Sequence, residues 1–352
     1  MSIAAPSTVE LHRSRDIEEQ AGLLSNWHQS YCQISRGTFD GSVTVIEIGG
    51  VCILVERMNR VVFQRGYVAD TIAVGVPFQL NGHARMCGQT SHTDGLHVFS
   101  GDREFELVSP DCYLDCNIEL DAQRIESLGS PLARVGLQRI AALLPASPGI
   151  MTVDHSLLHR FRARLMALFE IASSAPHLLS DSALCAQHEQ SVVLDLAALL
   201  EDEISECRPP QNNAARDWSL VAAARDLIES SDTCPLSVAE LSAQLGVATR
   251  TVYHAFQNAL DVKPVDYLRA VRLNRVRHEL QNAQSVTDAA VRWGFLHFGR
   301  FAHDYHAMFG EQPSQTWRRL HSSGTHDTGI VRGFASGSGP GSSSKREAGP
   351  FQ

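Results

Sequence analysis

The sequence predicts an α+β fold in two domains, with short strands in the N-terminal half and helices throughout the C-terminal half. Three observations carry this. Between about residues 40 and 120, short runs rich in Val, Ile, Phe and Thr are punctuated by Gly-Gly, Asn-Gly, Asp-Gly and Gly-Asp, as in an antiparallel sandwich or barrel. Residues 218–321 repeat apolar positions three and four apart, the period of a helix. At 352 residues the chain also has the length of two domains.

In order along the chain, residues 1–25 read as a polar lead-in. A β-rich domain follows over 26–150, with strands expected at "SVTVIEI", "VCILVER", "DTIAVGV" and "REFELV". Helical patterns begin after about residue 122. The stretch 154–173 places Leu158, Phe161, Leu165, Leu168 and Phe169 on one face, with Asp154 as its N-cap. "SVVLDLAALLEDEI" (191–204) is a second apolar-faced helix, so 151–206 is expected to be a helical dimerisation or linker segment. "CRPPQNNAARD" (207–217) breaks both periods and reads as a linker. The tail, 322–352, holds seven Gly and seven Ser in 31 residues and is expected to be disordered.

Composition excludes several classes. The chain is 43% hydrophobic and 20% charged, as ordinary globular proteins are. No apolar run reaches the ~18–20 residues of a membrane span, and the first residues lack the apolar core of a secretion signal. A cytoplasmic location without membrane contact is expected. Eight scattered cysteines contain no C-x-x-C and read as free thiols. Charge is uneven: residues 1–215 carry 15 Lys+Arg against 26 Asp+Glu, whereas 250–320 carry 10 against 6, all arginine but Lys263. That asymmetry fits an acidic regulatory half joined to a half that can approach a polyanion.

The helical half contains a near-repeat. "SVAELSAQLGVATRTVYHAF" (237–256) and "SVTDAAVRWGFLHFGRFAHDY" (285–305) each open with Ser-Val and a short helix, turn at a glycine (Gly246, Gly294), and start a second helix. Glycine suits a turn that needs positive φ. Val252 with Phe256, and Phe301 with Tyr305, are pairs four apart that anchor each second helix. In "WGFLHFGRFAHDYHAMFG" (293–310), Phe298, Phe301, Tyr305 and Met308 form one helical stripe, leaving the other faces free. Two helices joined at a tight glycine turn form a helix-turn-helix, whose second helix can lie in the DNA major groove. The two units, 237–258 and 285–308, are joined by a connector helix, "PVDYLRAVRLNRVRHEL" (264–280), with Pro264 in its first turn.

On "YLRAVRL", "WGF", "FGRFAHDY" and "FGEQPSQTWRR", residues 218–321 resemble the DNA-binding domain of AraC/XylS-type transcription regulators. Ser242 and Val276 stand where relatives usually have alanine. The resemblance implies that each second helix enters a major-groove segment of promoter or operator DNA. The first would present Arg250, Thr251, Tyr253 and His254, and the second His297, Gly299, Arg300 and His303. Arginine can grip guanine bidentately, Gly299 permits close approach, and His297 sits near an N-cap that favours phosphate. The alternative for Arg250 and Arg300, and more evenly for His254, His297 and His303, is a phosphate contact or solvated surface, and for Tyr253 packing at the domain edge. The resemblance further implies a homodimer, contact with RNA polymerase, and a transcription activator controlled by a small-molecule effector. "LSNWHQSYCQISRGTFDGSV" and "LVERMN" are similar to the sensor half of ethanolamine-operon-type regulators, implying an amine with a corrinoid as effector.

Sharper chemical readings lack their full residue sets. His155 and His159 stand four apart, but Ser156 replaces the glutamate of H-E-x-x-H. His83, Cys87, His92 and His97 crowd a β-rich stretch as in metal-binding cupin-like folds, without the paired H-x-H and glutamate. Cys112 and Cys116 have no zinc framework beside them, and neither a P-loop nor a nucleophile elbow occurs. No catalytic residue, metal or cofactor is expected. Two rivals stay open: a metal-dependent cupin-like enzyme fused to a DNA-binding domain, and a DNA-binding protein without a sensor.

Overall fold

The computed structural model describes residues 9–99, 103–202, 206–207, 212–230 and 236–322. Two antiparallel sheets face each other. The chain enters through β1 (Val9–Ser14), α1 (Ile17–Ala21) and β2 (Trp27–Gln33). It continues through β3 (Gly41–Ile48), β4 (Val51–Met58), β5 (Val62–Val68), β6 (Ile72–Gln79), β7 (Ala84–Met86) and β8 (Gln89–Ser91). Then come β9 (Gly95–Phe99), β10 (Phe105–Ser109) and β11 (Tyr113–Leu120). Helices α2 (Ala122–Leu128) and α3 (Pro131–Leu143), strand β12 (Gly149–Thr152), helices α4 (His155–Ser174) and α5 (Ser182–Glu201), and β13 (Glu206–Cys207) complete this half. The larger sheet has the order β1-β3-β4-β11-β6-β9-β12-β13, and the smaller β2-β5-β10-β7-β8.

Alternation along the strands creates three apolar layers from two sheets. Leu54, Met58, Val62, Leu107 and Tyr113 point between the sheets. Ile46, Ile48, Ile53, Ile118 and Leu120 point to the outer face of the larger sheet, where α2, α3, α4 and α5 cover them. Phe63 and Val108, each next in sequence to a residue of the inner layer, point outward from the smaller sheet and join the core of the C-terminal half. The β3–β4 hairpin closes tightly, with Ile48 opposite Val51, and Gly49 supplies the φ of +62° that such a turn needs.

Three expectations need correction. The polar lead-in contains β1, which pairs with β3 from Val9 to Ser14, and α1, whose Ile17 and Ala21 are buried. Composition hid it because a central buried group is polar: Gln20 reaches Ser14, the Ser42 carbonyl and Glu56. The apolar stripe that suggested a dimerisation helix is consumed within the chain: Leu158, Phe161, Leu165 and Leu168 of α4 belong to the core over the larger sheet. Asp154 does cap this helix, accepting from the Leu157 N–H at 2.8 Å. The second helix starts nine residues earlier than expected, at Ser182. Finally, the linker is shorter than 207–217, since α6 (Asn212–Glu229) already begins at Asn212. The Gly/Ser-rich tail lies outside the described residues from 323 onward.

The C-terminal half is all helix: α6, α7 (Val238–Gln244), α8 (Thr249–Leu260), α9 (Pro264–Glu279), α10 (Val286–Arg292), α11 (Phe298–Phe309) and α12 (Pro313–Ser322). Its two cores meet along α9. One gathers α6, α7 and α8 around Phe256 and Leu241, and the other gathers α10, α11 and α12 around Phe301 and Tyr305. No described helix is long and apolar enough to cross a membrane.

Candidate nucleic-acid interface

The two repeated units fold by the same local chemistry. Ser237 caps α7, and Glu240 returns the bond to the Ser237 N–H in a capping box. Ser285 caps α10 by accepting from the Asp288 N–H at 3.1 Å. Both short helices then stop at a glycine in the left-handed region, φ +65° at Gly246 and +79° at Gly294. In each unit the N–H after that glycine reaches back five residues, Val247 to the Ser242 carbonyl and Phe295 to the Ala290 carbonyl. This closes the helix as a left-handed C-terminal cap does. Around Gly246 a Cβ would meet nothing within 4 Å, so the backbone alone demands glycine there. Ser242, where alanine is usual, is satisfied by the Ala239 carbonyl and the Thr249 hydroxyl, tying α7 to the start of α8.

The second helix of each unit buries one stripe. On α8 this is Val252, Ala255, Phe256, Ala259 and Leu260, with Phe256 edge-on to Tyr267 at 5.4 Å. On α11 it is Phe301, Tyr305, Met308 and Phe309, and the Tyr305 hydroxyl donates to Thr316 Oγ1 at 3.0 Å. Phe298 departs from the expected stripe. It is the first residue of α11 and stands 47% exposed, while Phe295 of the turn packs on Phe301 at 5.0 Å in its place. A stripe of the right period overhangs the core at the first turn, where the chain before the helix supplies the packing instead.

Opposite these stripes lie the sequence-predicted readers. Arg250 and His254 are exposed, Tyr253 is 38% exposed, and Thr251 is half-buried. His297, Gly299, Arg300 and His303 are all exposed. Nothing lies within 4 Å of a Cβ built on Gly299, so no packing contact of this chain asks for glycine. Neither helix has a side-chain cap: α8 starts from Ala248 and α11 from His297, without a hydrogen bond from either side chain to the first turn. First-turn N–H groups left without such caps, together with the helix dipole, favour an approaching phosphate. Leu296, in the turn before α11 and not among the expected readers, is 72% exposed.

Two sets of contacts fix the units against the sandwich. Arg225 of α6 is buried over the Phe63 ring at 4.4 Å and pairs with Glu106. At the other unit, the Gly37 N–H donates to the Ala307 and Met308 carbonyls at the end of α11, and Gln33 Nε2 adds a bond to Met308 at 2.7 Å. Arg277 of α9 binds Asp16 at 2.6 Å and Glu311 at 2.9 Å. Burial works against the charge on Arg277, but Asp16 and its other neighbours outweigh it and the pKa is raised.

The His and Cys residues of the sandwich have a different environment. His97 is fully buried, with Nε2 2.7 Å from Ser91 Oγ, and burial lowers its pKa to about 4. His83 and His92 stack edge-on to each other at 4.3 Å. Among the described residues, no three His, Cys, Asp or Glu groups gather closely enough to hold a metal ion.

Tandem helix-turn-helix units with exposed second helices define a class of DNA-binding architecture. Residues 241–319 match the family model described as a helix-turn-helix domain. The chain is 39% identical over 105 residues to the probable thc operon regulatory protein of Rhodococcus erythropolis, covering 29% of this chain and 32% of that relative. Identity is 35% over 245 residues to XylDLEGF operon transcriptional activator 3 of Pseudomonas putida, covering 68% of this chain and 71% of that one. A solved structure of a probable AraC family transcriptional regulator from Rhodopseudomonas palustris matches at 33% identity and a TM-score of 0.27, over 29% of this chain and 97% of its own. The match spans about a third or less of the first curated relatives, whereas the Pseudomonas activator is matched well into its N-terminal half. The chain belongs to the AraC/XylS family of transcription regulators.

Proposed function

We propose that this protein is a cytoplasmic, sequence-specific DNA-binding activator that reads two major-groove segments through α8 and α11. One observation carries the reading: each helix buries its apolar stripe and turns Arg250 and His254, or Arg300 and His303, to solvent beside a first turn without a side-chain cap. Arg250, Thr251, Tyr253 and His254 form the first contact set, and His297, Gly299, Arg300 and His303 the second. Contact with RNA polymerase and a homodimer belong to the same proposal. No catalytic role is assigned to any residue.

The sandwich is the effector-sensing part in this reading. Its support is a cavity of about 170 Å³ at one end, walled by Leu23, Val45 and Leu54 with Glu47, Glu119 and Asp121 against a single arginine, Arg124. Asn26 and Trp27 already bind both Glu119 oxygens and Asp121 caps α2, so the lining favours an amine over an anion only through its net negative charge.

The test is selection from a random duplex library with the full chain, followed by titration of the selected duplex across salt concentrations. The proposal expects an enriched sequence and an affinity that falls steeply with salt, as phosphate contacts release counterions. Failure to enrich any sequence would overturn it.

A further inference from the structure

The geometry points to Leu296 and Phe298 as base-reading residues that recognise the 5-methyl groups of thymine. The inference rests on the proposal that α11 enters the major groove, and it names the chemistry that helix would select.

Residues 296–300 form five consecutive exposed positions at the entrance to α11: Leu296, His297, Phe298, Gly299 and Arg300. Single exposed apolar side chains are ordinary on protein surfaces. These two differ by position. Leu296 and Phe298 alternate with His297 and Gly299 at the tip, next to Arg300, where a groove-bound helix would meet base edges. Neither is needed to complete the core, since Phe295 already fills the place beside Phe301. The first unit is built differently at the matching place. Thr249 opens α8 there, and its hydroxyl is turned back to Ser242 of its own unit. Only the second unit thus presents large apolar groups at the tip of its reading helix.

The occupant is selected by chemistry. In the major groove, the thymine methyl is the apolar feature among otherwise polar base edges. Arg300 alongside supplies positive charge for the phosphates or a guanine edge. The absent side chain at Gly299 leaves the backbone between Phe298 and Arg300 free to approach closely. Covering a methyl with Leu296 or Phe298 removes one apolar carbon from water, worth roughly a fourfold change in affinity.

The experiment uses the full chain and the duplex enriched from a random library. Each thymine is replaced singly by deoxyuridine, which lacks only the methyl group, and binding is titrated for the wild type, Leu296→Ala, Phe298→Ala and Phe298→Leu. The wild type should lose roughly fourfold at one or more positions. Leu296→Ala or Phe298→Ala should erase the loss at its own position, whereas Phe298→Leu should keep much of it. Wild-type indifference to every deoxyuridine would overturn the inference. So would alanine variants that bind more weakly yet still prefer thymine as strongly as the wild type, the result expected if the pair docks a protein instead. A library that yields no enriched duplex would overturn the DNA-reading proposal itself.

Discussion

The side-chain amide of Asn274, in the connector helix, pairs with the backbone of Gln33 in β2. The Gln33 N–H donates to Oδ1 at 3.2 Å, and Nδ2 donates to the Gln33 carbonyl at 2.9 Å. A side chain thus stands where a neighbouring strand would, satisfying β2 at its C-terminal end and fastening the reading half to the sandwich. Asn274→Ala leaves both Gln33 groups without this partner and should cost about 1–3 kcal/mol. Denaturant unfolding followed by separate probes in the two halves should show their transitions drawing apart. Transitions that stay coincident at an unchanged midpoint would remove this pair from the coupling of the halves.

Phe301 and Phe298 are three residues apart on one helix and have opposite surroundings. Truncating buried Phe301 should destabilise the C-terminal half by about 3–5 kcal/mol. Phe298→Ala should cost less than about 1 kcal/mol, because the ring is half in water. Thermal melts of the two variants give the comparison, and equal losses would mean that Phe298 is packed in solution.

That pair also shows how far the sequence could be read. Periodicity located α11 and its buried face from Phe301 onward, but could not say which aromatic at the entrance would pack, since a helical period carries no information about the turn before it. Likewise the alternation in "SVTVIEI" and "VCILVER" made the β3–β4 hairpin legible. β1 and α1 were not, because Gln20 fills its place in the interior through three polar contacts rather than through apolar character. The seam between the halves was hidden for another reason: Gln33 and Asn274 are 241 positions apart, and neither residue type announces a partner. The glycines at 246 and 294 were the most informative single letters, since each turn holds its glycine at a positive φ that other residues rarely adopt.

The interior of the sandwich should make stability depend on pH. Burial pushes the Glu56 carboxyl up to about 7 against hydrogen bonds donated by Gln20 and Tyr31, and its cross-strand neighbour Asp115 is likewise raised by burial to about 7. Both folded-state values exceed the ordinary ~4 of an unfolded carboxyl. Their contribution to stability is therefore full below about pH 4 and is lost as the pH rises towards 7. His97, lowered by burial to about 4, acts with the opposite sign: its contribution is present above about pH 6.5 and lost as the pH falls towards 4. Glu56→Gln removes one acidic contribution and leaves His97 in place. The melting temperature of this variant should gain on the wild type between about pH 5 and pH 8, and parallel profiles for the two proteins would contradict the buried-acid assignment.

The central claim, that the exposed side of α11 reads DNA while its buried side holds the fold, is tested most directly by Arg300→Ala. Binding should be titrated on the selected duplex and its single-base variants at two salt concentrations, alongside a thermal melt. The account predicts an unchanged melt and a loss of about 1–3 kcal/mol, with preference relaxed at one base pair. A loss spread evenly over all sequences, with a smaller salt slope, would make Arg300 a phosphate contact on the same face. An Arg300→Ala protein that binds every duplex as the wild type does would contradict the account and leave α8 as the remaining reading helix.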